Sequence, residues 1–585
     1  MNSVFTIVPN YISPPKGLKK VGNTSEYLLL SNNETNAVTK NGILIYIDGY
    51  VIPVNDCFEK YSKHNQHDLV FALFQQYQTE FAKKIKGAFV IVIISANSLH
   101  IISDYLGLVS FFYAKHNKHY IISNSFKAFQ QVGTAPELDP VSIKVCSILN
   151  RNTQSFTSFK NIFISQAATR LILSGIEGKI ENYWSPSCLL SSDQSKIRSH
   201  SFSDFSCFIK QSFKNFNSFL EPENHAITLT GGKDSRTGLA ALLSIGIEPY
   251  GFTYGNEQSK DSVYAKKLAS QLGLKHQTFT PPCSYEWWDM TANEIVSYGN
   301  PEVSIHRAHR LYAFTAMAEI LKGSSAYFAG YMAGEFLMGV YYDNLVFTKY
   351  LTDYWENPSF KPMEQELKNG FIKEYNFHND DVLHRLSQLR SFDKTLTKKE
   401  RQFYGIFEIG IPHHCQDIFL ASKHFDYVYP FFIDIDFLQE IFNSEYSFFH
   451  TDNKTRNLYK RYKLYEFNLN IQHLLGPAMD NVPFAKRGSY TTSDFLKGKL
   501  YWTMVKGFRY FSQRRKYPVS FSYDVSFKEF IKRGLSSLAN NPSHTLHKYY
   551  NVNEALLHLA ALEGDAKEGV LRGYSNIISL LKQMQ

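Results

Sequence analysis

Short apolar runs separated by turn residues fill the first 180 residues of the chain. β-Branched and aromatic residues are concentrated over Ile43–Ile47, Phe89–Ile94, His100–Ser103, Phe111–Ala114 and Tyr120–Ser123. Runs of this length, bounded by turn pairs such as Asp48-Gly49, are typical of β-strands. A few helices, of which His67–Lys84 is one, are expected among them. The pattern therefore predicts antiparallel strands rather than a strand–helix–strand alternation.

The pattern changes after about residue 205, where apolar runs begin to alternate with helical periodicity. Buried strands are predicted over Ala226–Leu229, Tyr250–Tyr254, His276–Phe279 and Ala326–Ala329. The first strand is followed by a helix that ends near Leu243, and the segment Ser262–Leu272 repeats apolar residues on one helical face. Alternation of this kind indicates a parallel, doubly wound sheet. Beyond residue 340 the long segments are predicted to be mostly helical.

The stretch from Ser185 to Ser203 separates the two patterns, because it is rich in serine and lacks periodicity. We place a domain boundary there. The sequence thus predicts an α+β domain over residues 1–190, followed by an α/β domain with a parallel sheet and a helical C-terminal part over residues 205–585.

Composition narrows the class of protein. The 585 residues are 44% hydrophobic and 20% charged, which suits large packed cores and excludes wholesale disorder. Six scattered cysteines with no CxxC pair exclude a disulfide scaffold and suit a reducing compartment. The longest apolar run, Ala88–Ser95, is far shorter than the ~20 residues of a membrane helix. The first ten residues lack the features of a signal peptide, so we expect a soluble, cytoplasmic protein with no membrane partner.

Charge adds little to this picture. The net charge of +9 is spread along the chain, with one concentration at Arg514-Arg515-Lys516 among aromatic residues. Such a segment suits a nucleic acid or an acidic peptide. A charge run of this kind is more often a solvated helix face, and we adopt that interpretation. No nucleic-acid partner is expected.

The clearest chemical signal is the string AITLTGGKDSR, which covers Ala226–Arg236. Gly231 and Gly232 let the backbone turn tightly after the strand, so that N–H groups and a helix N-terminus form a nest for an anion. Thr230 and Ser235 can add hydroxyl donors. Asp234 follows at a position suited to magnesium on a bound phosphate. The GxxxxGK[ST] pattern of a Walker A loop is absent.

This string resembles the SGGxDS pyrophosphate-binding loop of ATP pyrophosphatases, in the form found in the asparagine-synthetase superfamily. Asp261–Gly273 is similar to the family's DxxxAxxLAxxLG helix, and Gly87–Phe89, Asp104–Gly107 and Glu181–Trp184 are similar to elements of its glutaminase-like domain. The resemblance implies an N-terminal-nucleophile (Ntn) type glutaminase-like domain and an ATP pyrophosphatase domain. It implies ATP and Mg²⁺ as cofactors, adenylation of a carboxylate with release of pyrophosphate, and attack by an amine.

The resemblance fails at the glutaminase nucleophile. Family members with glutaminase activity expose an N-terminal cysteine once Met1 is removed, whereas position 2 here is Asn2. An amide side chain is not a nucleophile of that kind. We therefore expect that this chain does not make ammonia from glutamine, and that its first domain is a remnant or a platform for substrate.

Two further segments carry candidate catalytic residues by resemblance. Gly330–Glu335 is similar to the family's GxGxDE loop; it keeps Glu335 as a magnesium ligand but has Gly334 where the family has aspartate. Tyr331 falls where β-lactam and carbapenam synthetases have a tyrosine base that is paired with a glutamate, and Glu364 or Glu366 is the candidate partner.

The segment Asp480–Ser493 resembles the KxG segment of the synthetases, in which a lysine neutralises negative charge in the transition state. Lys486 is the candidate for that role. Tyr429–Asp434 resembles a family segment without its arginine, and we assign no site there. The neighbouring histidines, His306 with His309 and His413 with His414, lack the spacing of a metal site.

Three hypotheses remain open. The first is an ATP-dependent amide synthetase that closes a lactam within one substrate, as β-lactam synthetases and lasso-peptide cyclases do. Its partner would be a small molecule or peptide with a carboxylate and an amine, and for a peptide a precursor and a partner protease. The second is an amidating enzyme that uses ammonia, or glutamine through a partner. The third is a non-catalytic homologue that binds nucleotide.

Overall fold

The computed structural model describes residues 3–96, 98–132, 137–149, 151–190, 201–338, 379–450, 458–485, 489–512, 523–561 and 568–584. Its N-terminal region is built from twelve strands: β1 (Phe5–Pro9), β2 (Lys19–Asn23), β3 (Tyr27–Ser31), β4 (Ala37–Lys40), β5 (Ile43–Pro53), β6 (Ile85–Ser95), β7 (Ser98–Ser103), β8 (Phe112–His116), β9 (His119–Ser123), β10 (Ile162–Ile164), β11 (Thr169–Ser174) and β12 (Glu177–Asn182).

These strands form two six-stranded sheets, with the orders β10-β8-β9-β1-β3-β2 and β12-β11-β7-β6-β5-β4. Neighbours in both sheets are antiparallel, as the sequence predicts. Strand β6 shows how the sheets pack, because its side chains alternate between two cores. Val90 and Val92 join an apolar cluster with Phe5 and Ile7 of the facing sheet, whereas Ile91 belongs to the other, larger core.

Among the described residues, four α-helices accompany the two sheets: α1 (Phe58–Tyr61), α2 (Gln66–Tyr77), α3 (Lys127–Gln131) and α4 (Pro140–Leu149). The helix predicted over His67–Lys84 is found, but its α-helical part ends at Tyr77. Gln78 adopts a left-handed φ of 49°, and a 3-10 helix continues over Gln78–Lys84.

The second region is built on a five-stranded parallel sheet: β13 (Asn224–Thr228), β14 (Tyr250–Tyr254), β15 (His276–Phe279), β16 (Ser325–Phe328) and β17 (Tyr427–Tyr429). The strand order is β15-β14-β13-β16-β17, and every neighbouring pair is parallel. The predicted doubly wound sheet is thus confirmed, with each predicted strand displaced by no more than two residues at either end. The short β17 was not predicted.

Helices account for most of the remaining described residues, as the sequence predicts: α5 (Phe202–Leu220), α6 (Asp234–Ser244), α7 (Lys260–Leu272), α8 (Tyr285–Ser297), α9 (Ala308–Leu321), α10 (Ala333–Met338), α11 (Asn379–Ser387), α12 (Lys398–Gly405), α13 (Ile411–Ala421), α14 (Ile435–Phe442), α15 (Leu458–Leu475), α16 (Thr492–Leu496), α17 (Lys499–Ser512), α18 (Asp524–Ala539), α19 (Val552–Ala561) and α20 (Glu568–Gln583). Within the described ranges, none of the helices combines the length and apolarity needed to cross a membrane.

A buried ion cluster joins the two regions. The ammonium of Lys86, on β6, lies 2.9 Å from Asp434 and 2.7 Å from Asp436, and all three side chains are at most 10% exposed. Nearby, the Tyr50 hydroxyl donates a hydrogen bond to the Val428 carbonyl at 3.0 Å. Asp434 therefore has the structural role that its sequence context suggests.

Candidate functional site

The site lies at the carboxyl edge of the parallel sheet. From the central strand β13 the chain adds β14 and β15 on one side, and β16 and β17 on the other. The loops that follow β13 and β16 therefore diverge between neighbouring strands. Open α/β sheets bind their ligands at such a topological switch point. The TGGKDS loop follows β13, and the Gly330–Glu335 segment follows β16.

The TGGKDS loop is closed by its own side chains. The Gly232 N–H donates a hydrogen bond to the Thr230 hydroxyl at 3.1 Å, and the Thr230 N–H donates to the Ser235 hydroxyl at 3.3 Å. The Gly231 N–H donates to the Asp261 carboxylate at 3.2 Å. A phosphate that enters the loop would thus compete with these oxygens for the same N–H groups.

Helix α6 begins at Asp234, and its N-cap residue, Lys233, makes no side-chain cap hydrogen bond. The first N–H groups of a helix have no partner within the helix, and the helix dipole adds positive charge there. A helix start of this kind after a glycine turn is a common phosphate site.

Two glycines let three segments approach one another closely. A Cβ on Gly231 would lie 1.8 Å from the Cβ of Ala485, whose N–H donates to the Gly231 carbonyl at 2.9 Å. A Cβ on Gly330 would lie 3.1 Å from the carbonyl carbon of Asp234. The loops after β13 and β16 and the segment that ends at Ala485 therefore form one unit.

Glu335 is positioned by the first turn of α10 and is half-buried. Desolvation, together with the negative charge of Asp234, raises the pKa of its carboxyl to about 7. Asp234 itself accepts a hydrogen bond of 3.4 Å from the Asn468 amide. A carboxyl group whose pKa is raised by a neighbouring carboxylate favours a cation that the two groups share.

These residues fit Mg²⁺ better than a transition metal. Magnesium in nucleotide sites takes one or two protein carboxylates and completes its shell with water and phosphate oxygens. Within the described ranges, no group of three or more His, Cys, Asp or Glu side chains is placed to hold a metal. The pair of Asp234 and Glu335 thus suits an ion that arrives with a phosphate ligand.

Tyr331 lies next to this pair, among aromatic groups. Its hydroxyl is 3.3 Å from that of Tyr327, which in turn is 2.6 Å from the Thr228 hydroxyl. Its ring stacks on His414 with centroids 5.0 Å apart. Desolvation and the charges of Tyr327 and Asp417 hold the pKa of Tyr331 well above 10, so the phenol is neutral. Glu364 and Glu366, the candidate partners, lie outside the described residues.

An arginine–aspartate cluster adjoins Tyr331, and sequence reasoning missed it. The fully buried Asp417 accepts a hydrogen bond from Arg307 at 2.9 Å and a second from Arg310. Although burial alone would raise the pKa of Asp417, the two guanidinium groups hold it below its ordinary value. His413 lies 2.6 Å from Arg307 and belongs to this cluster.

Two cations of the phosphate loop, Lys233 and Arg236, are held by residues of α15 and of the segment that ends at Ala485. The Lys233 ammonium lies 3.8 Å from the centroid of the Tyr465 ring. Arg236 is buried and donates hydrogen bonds to the carbonyls of Val482 and Pro483, at 2.8 and 2.7 Å. Lys486 lies outside the described residues. The structure thus brings together all the predicted nucleotide-binding residues with Glu335 and Tyr331, and leaves the position of Lys486 a prediction.

A cavity of about 430 Å³ lies away from this site, between the N-terminal region and α13. Ile411, Cys415 and Phe419 line it, whereas His414 and Asp417, on the same helix, contact the arginines and Tyr331. The cavity contains none of the predicted site residues.

No known family model matches the chain, and no curated protein matches it. Among solved structures it is similar to glutamine phosphoribosylpyrophosphate amidotransferase from B. subtilis complexed with ADP and GMP, with 10% identity and a TM-score of 0.21 over 47% of this chain and 65% of that one. A structure described as the allosteric regulatory enzyme of purine biosynthesis gives 12% identity and a TM-score of 0.18, over 46% of this chain and 59% of that one. The chain thus covers less than two thirds of either protein, and likeness at this level carries no argument about activity.

Proposed function

We propose that the protein is an ATP-dependent carbon–nitrogen ligase that adenylates a carboxylate and joins it to an amine. The observation that carries the proposal is the meeting of Asp234 and Glu335 beside the TGGKDS loop, on two loops that diverge at the switch point of the sheet. A glycine turn, a helix start without a side-chain cap and two neighbouring acidic residues are together suited to binding a triphosphate with magnesium.

Different residues of the site would bind the phosphates and the magnesium ion. Gly231, Gly232 and the start of α6 supply N–H groups for the phosphates, and the hydroxyls of Thr230 and Ser235 add further donors. Asp234 and Glu335 would hold the Mg²⁺ ion, which supplies positive charge to the phosphate oxygens. Binding would offset both the desolvation and the repulsion from Asp234 that raise the pKa of Glu335.

The proposed reaction has two steps. An oxygen of the substrate carboxylate attacks the α-phosphorus of ATP, which gives an acyl-adenylate and releases pyrophosphate. The amine nitrogen then attacks the acyl carbon, loses a proton and expels AMP. Lys486 is the candidate cation for the negative charge that develops in these steps.

Tyr331 is the candidate group at the amine. Its phenol is neutral here, so it first serves as a hydrogen-bonding partner that orients the nitrogen. The Arg310 charge favours the phenolate and opposes the effect of burial. Proton removal by Tyr331 would therefore depend on the Arg310–Asp417 pair.

We further propose that the amine and the carboxylate belong to one substrate, so that the product is a lactam. The match of Tyr331 to the tyrosine of lactam synthetases supports this choice. A primary amide formed only when ammonium is added would indicate the amidating alternative instead.

ATP–pyrophosphate exchange tests the proposal. The full chain with Mg²⁺ is assayed over a panel of amino acids and candidate precursor peptides, beside Asp234→Asn and Lys486→Ala. Glu319→Gln, an exposed acid near the end of α9, is the matched control. We expect exchange with one substrate class, lost in Asp234→Asn and kept in Glu319→Gln. No exchange with any substrate, together with no ATP binding, would overturn the proposal.

A further inference from the structure

Helix α17 exposes a row of large apolar side chains. Leu500, Met504, Phe508 and Phe511 are 76%, 59%, 76% and 73% exposed. Their spacing of four, four and three residues places all of them on one face. We call this face the apolar ridge. Single exposed apolar residues are ordinary, but a contiguous row of four marks an interaction surface.

The opposite face of the same helix attaches it to the protein. Trp502 is fully buried, and the Lys506 ammonium lies 4.6 Å from the centroid of its ring. Arg509 donates a hydrogen bond to Asp494 at 2.8 Å. Trp502 also packs on Tyr465, whose ring holds Lys233 of the phosphate loop. The helix is thus anchored by its indole and its cations, and the apolar ridge points outward.

The segment that carries the ridge has charges of one sign. From Phe495 to Tyr523 the sequence contains seven lysines and arginines and no aspartate or glutamate. Lys506 and Arg509 face the protein, and Arg514-Arg515-Lys516 lie outside the described residues. Lys497 is exposed just before the helix, and Lys499 begins it. A second copy of the chain would bring like charges together, so self-association through this face is disfavoured. Lys497 and Lys499, with the basic residues that follow the helix in the sequence, instead complement a surface of negative charge.

We propose that the apolar ridge docks the protein on an anionic lipid bilayer. A helix with Leu and Phe on one face and cations beside it lies in the interface between headgroups and acyl chains. Tyr501 and Tyr510, at the borders of the ridge, are 37% and 40% exposed, and tyrosine favours that depth. Such docking needs no membrane-spanning segment. It therefore replaces the sequence-based expectation of no membrane partner, which rested on the lack of a spanning segment.

Co-sedimentation with vesicles tests the proposal without nucleotide or substrate. The full chain is mixed at low ionic strength with vesicles of phosphatidylcholine and phosphatidylglycerol, or of phosphatidylcholine alone. We expect binding to the anionic vesicles, weakened by salt. Phe508→Ser with Met504→Ser should reduce the partition coefficient about tenfold or more, since each removes apolar surface from the interface.

Leu557→Ser is the matched control, because Leu557 is 73% exposed on α19, away from the ridge. It should bind as the wild type does, whereas Lys497→Glu with Lys499→Glu should bind anionic vesicles less. Lys497, Met504, Phe508 and Leu557 are exposed and Lys499 is half-exposed, and circular dichroism checks that the variants fold.

Failure of the wild type to sediment with anionic vesicles would overturn the proposal. Equal losses in the ridge variant and in Leu557→Ser would do so as well. Binding to an acidic amphipathic peptide in place of vesicles would assign the ridge to a protein partner and would also overturn it. None of these outcomes depends on whether the protein adenylates a carboxylate.

Discussion

Two groups of charged side chains in this protein, one buried and one half-buried, differ in what they contain. At the junction of the two regions, Lys86 lies between Asp434 and Asp436, so that the carboxylates meet a cation of the chain itself. At the carboxyl edge of the parallel sheet, desolvation and, after it, the like charge of Asp234 raise the pKa of Glu335 to about 7. A group that carries its own counter-charge holds a structure together. A group in which like charges meet needs a ligand to complete it.

The largest effect is expected when the buried cluster of Lys86, Asp434 and Asp436 loses its cation. Lys86→Met leaves two buried aspartates without their cation, and removal of one partner of such a group costs about 3–5 kcal/mol of unfolding free energy. Urea unfolding would measure it. Lys83→Met is the matched control, because Lys83 pairs with Glu80 on the surface and its loss should cost less than about 1 kcal/mol. Equal stabilities of the two variants would contradict the comparison.

The second effect separates activity from stability. Asp234→Asn should lower ATP–pyrophosphate exchange by about 100-fold or more, because the phosphates lose a ligand of their cation. In urea without Mg²⁺ the same variant should be at least as stable as the wild type, since a charge that repels Glu335 is gone. A variant that loses stability instead would place Asp234 with the structural charges.

Sequence reasoning succeeded where the chemistry is local. The TGGKDS loop and the helix after it are contiguous, so one string of letters predicts a strand, a turn and a helix start. The strands were found for a similar reason, since burial on a sheet imposes its period on neighbouring residues. The end of α2 was missed, because nothing in the local pattern predicts the left-handed backbone of Gln78.

The arginine–aspartate cluster could not be predicted from the sequence, because its residues are not contiguous. Arg307 and Arg310 come from the segment that starts α9, and Asp417 from α13, so only the packing of distant helices brings them together. The concentration Arg514-Arg515-Lys516, interpreted as part of a solvated helix face, lies outside the described residues. Just before it, the Arg509 and Lys506 side chains face the protein and the apolar ones face outward, because Trp502 fixes the rotation of the helix.

A third effect concerns the two steps of the proposed reaction. Tyr331→Phe removes the hydroxyl but keeps the ring that stacks on His414. Exchange should remain near the wild-type level, while formation of the amide falls about 100-fold, as expected for loss of a group that acts on the attacking amine. Equal losses in both steps would assign Tyr331 to the binding of ATP rather than to the amine.

The smallest effect is the coupling of magnesium to pH at Glu335. Without the ion, the pKa of about 7 exceeds the ordinary value near 4.5, so the folded protein binds more protons than the unfolded chain between these limits. Stability in the absence of Mg²⁺ should therefore fall as pH rises through that window and stay lower above it. Magnesium binding must release the proton, so the affinity for Mg²⁺ with ATP should rise about tenfold per pH unit up to pH 7 and then level off.

Calorimetry from pH 5.5 to 8 would measure this affinity, and Glu335→Gln should abolish its dependence on pH. A slope that persists in Glu335→Gln would move the titrating group elsewhere and remove the main difference between the two groups of charge.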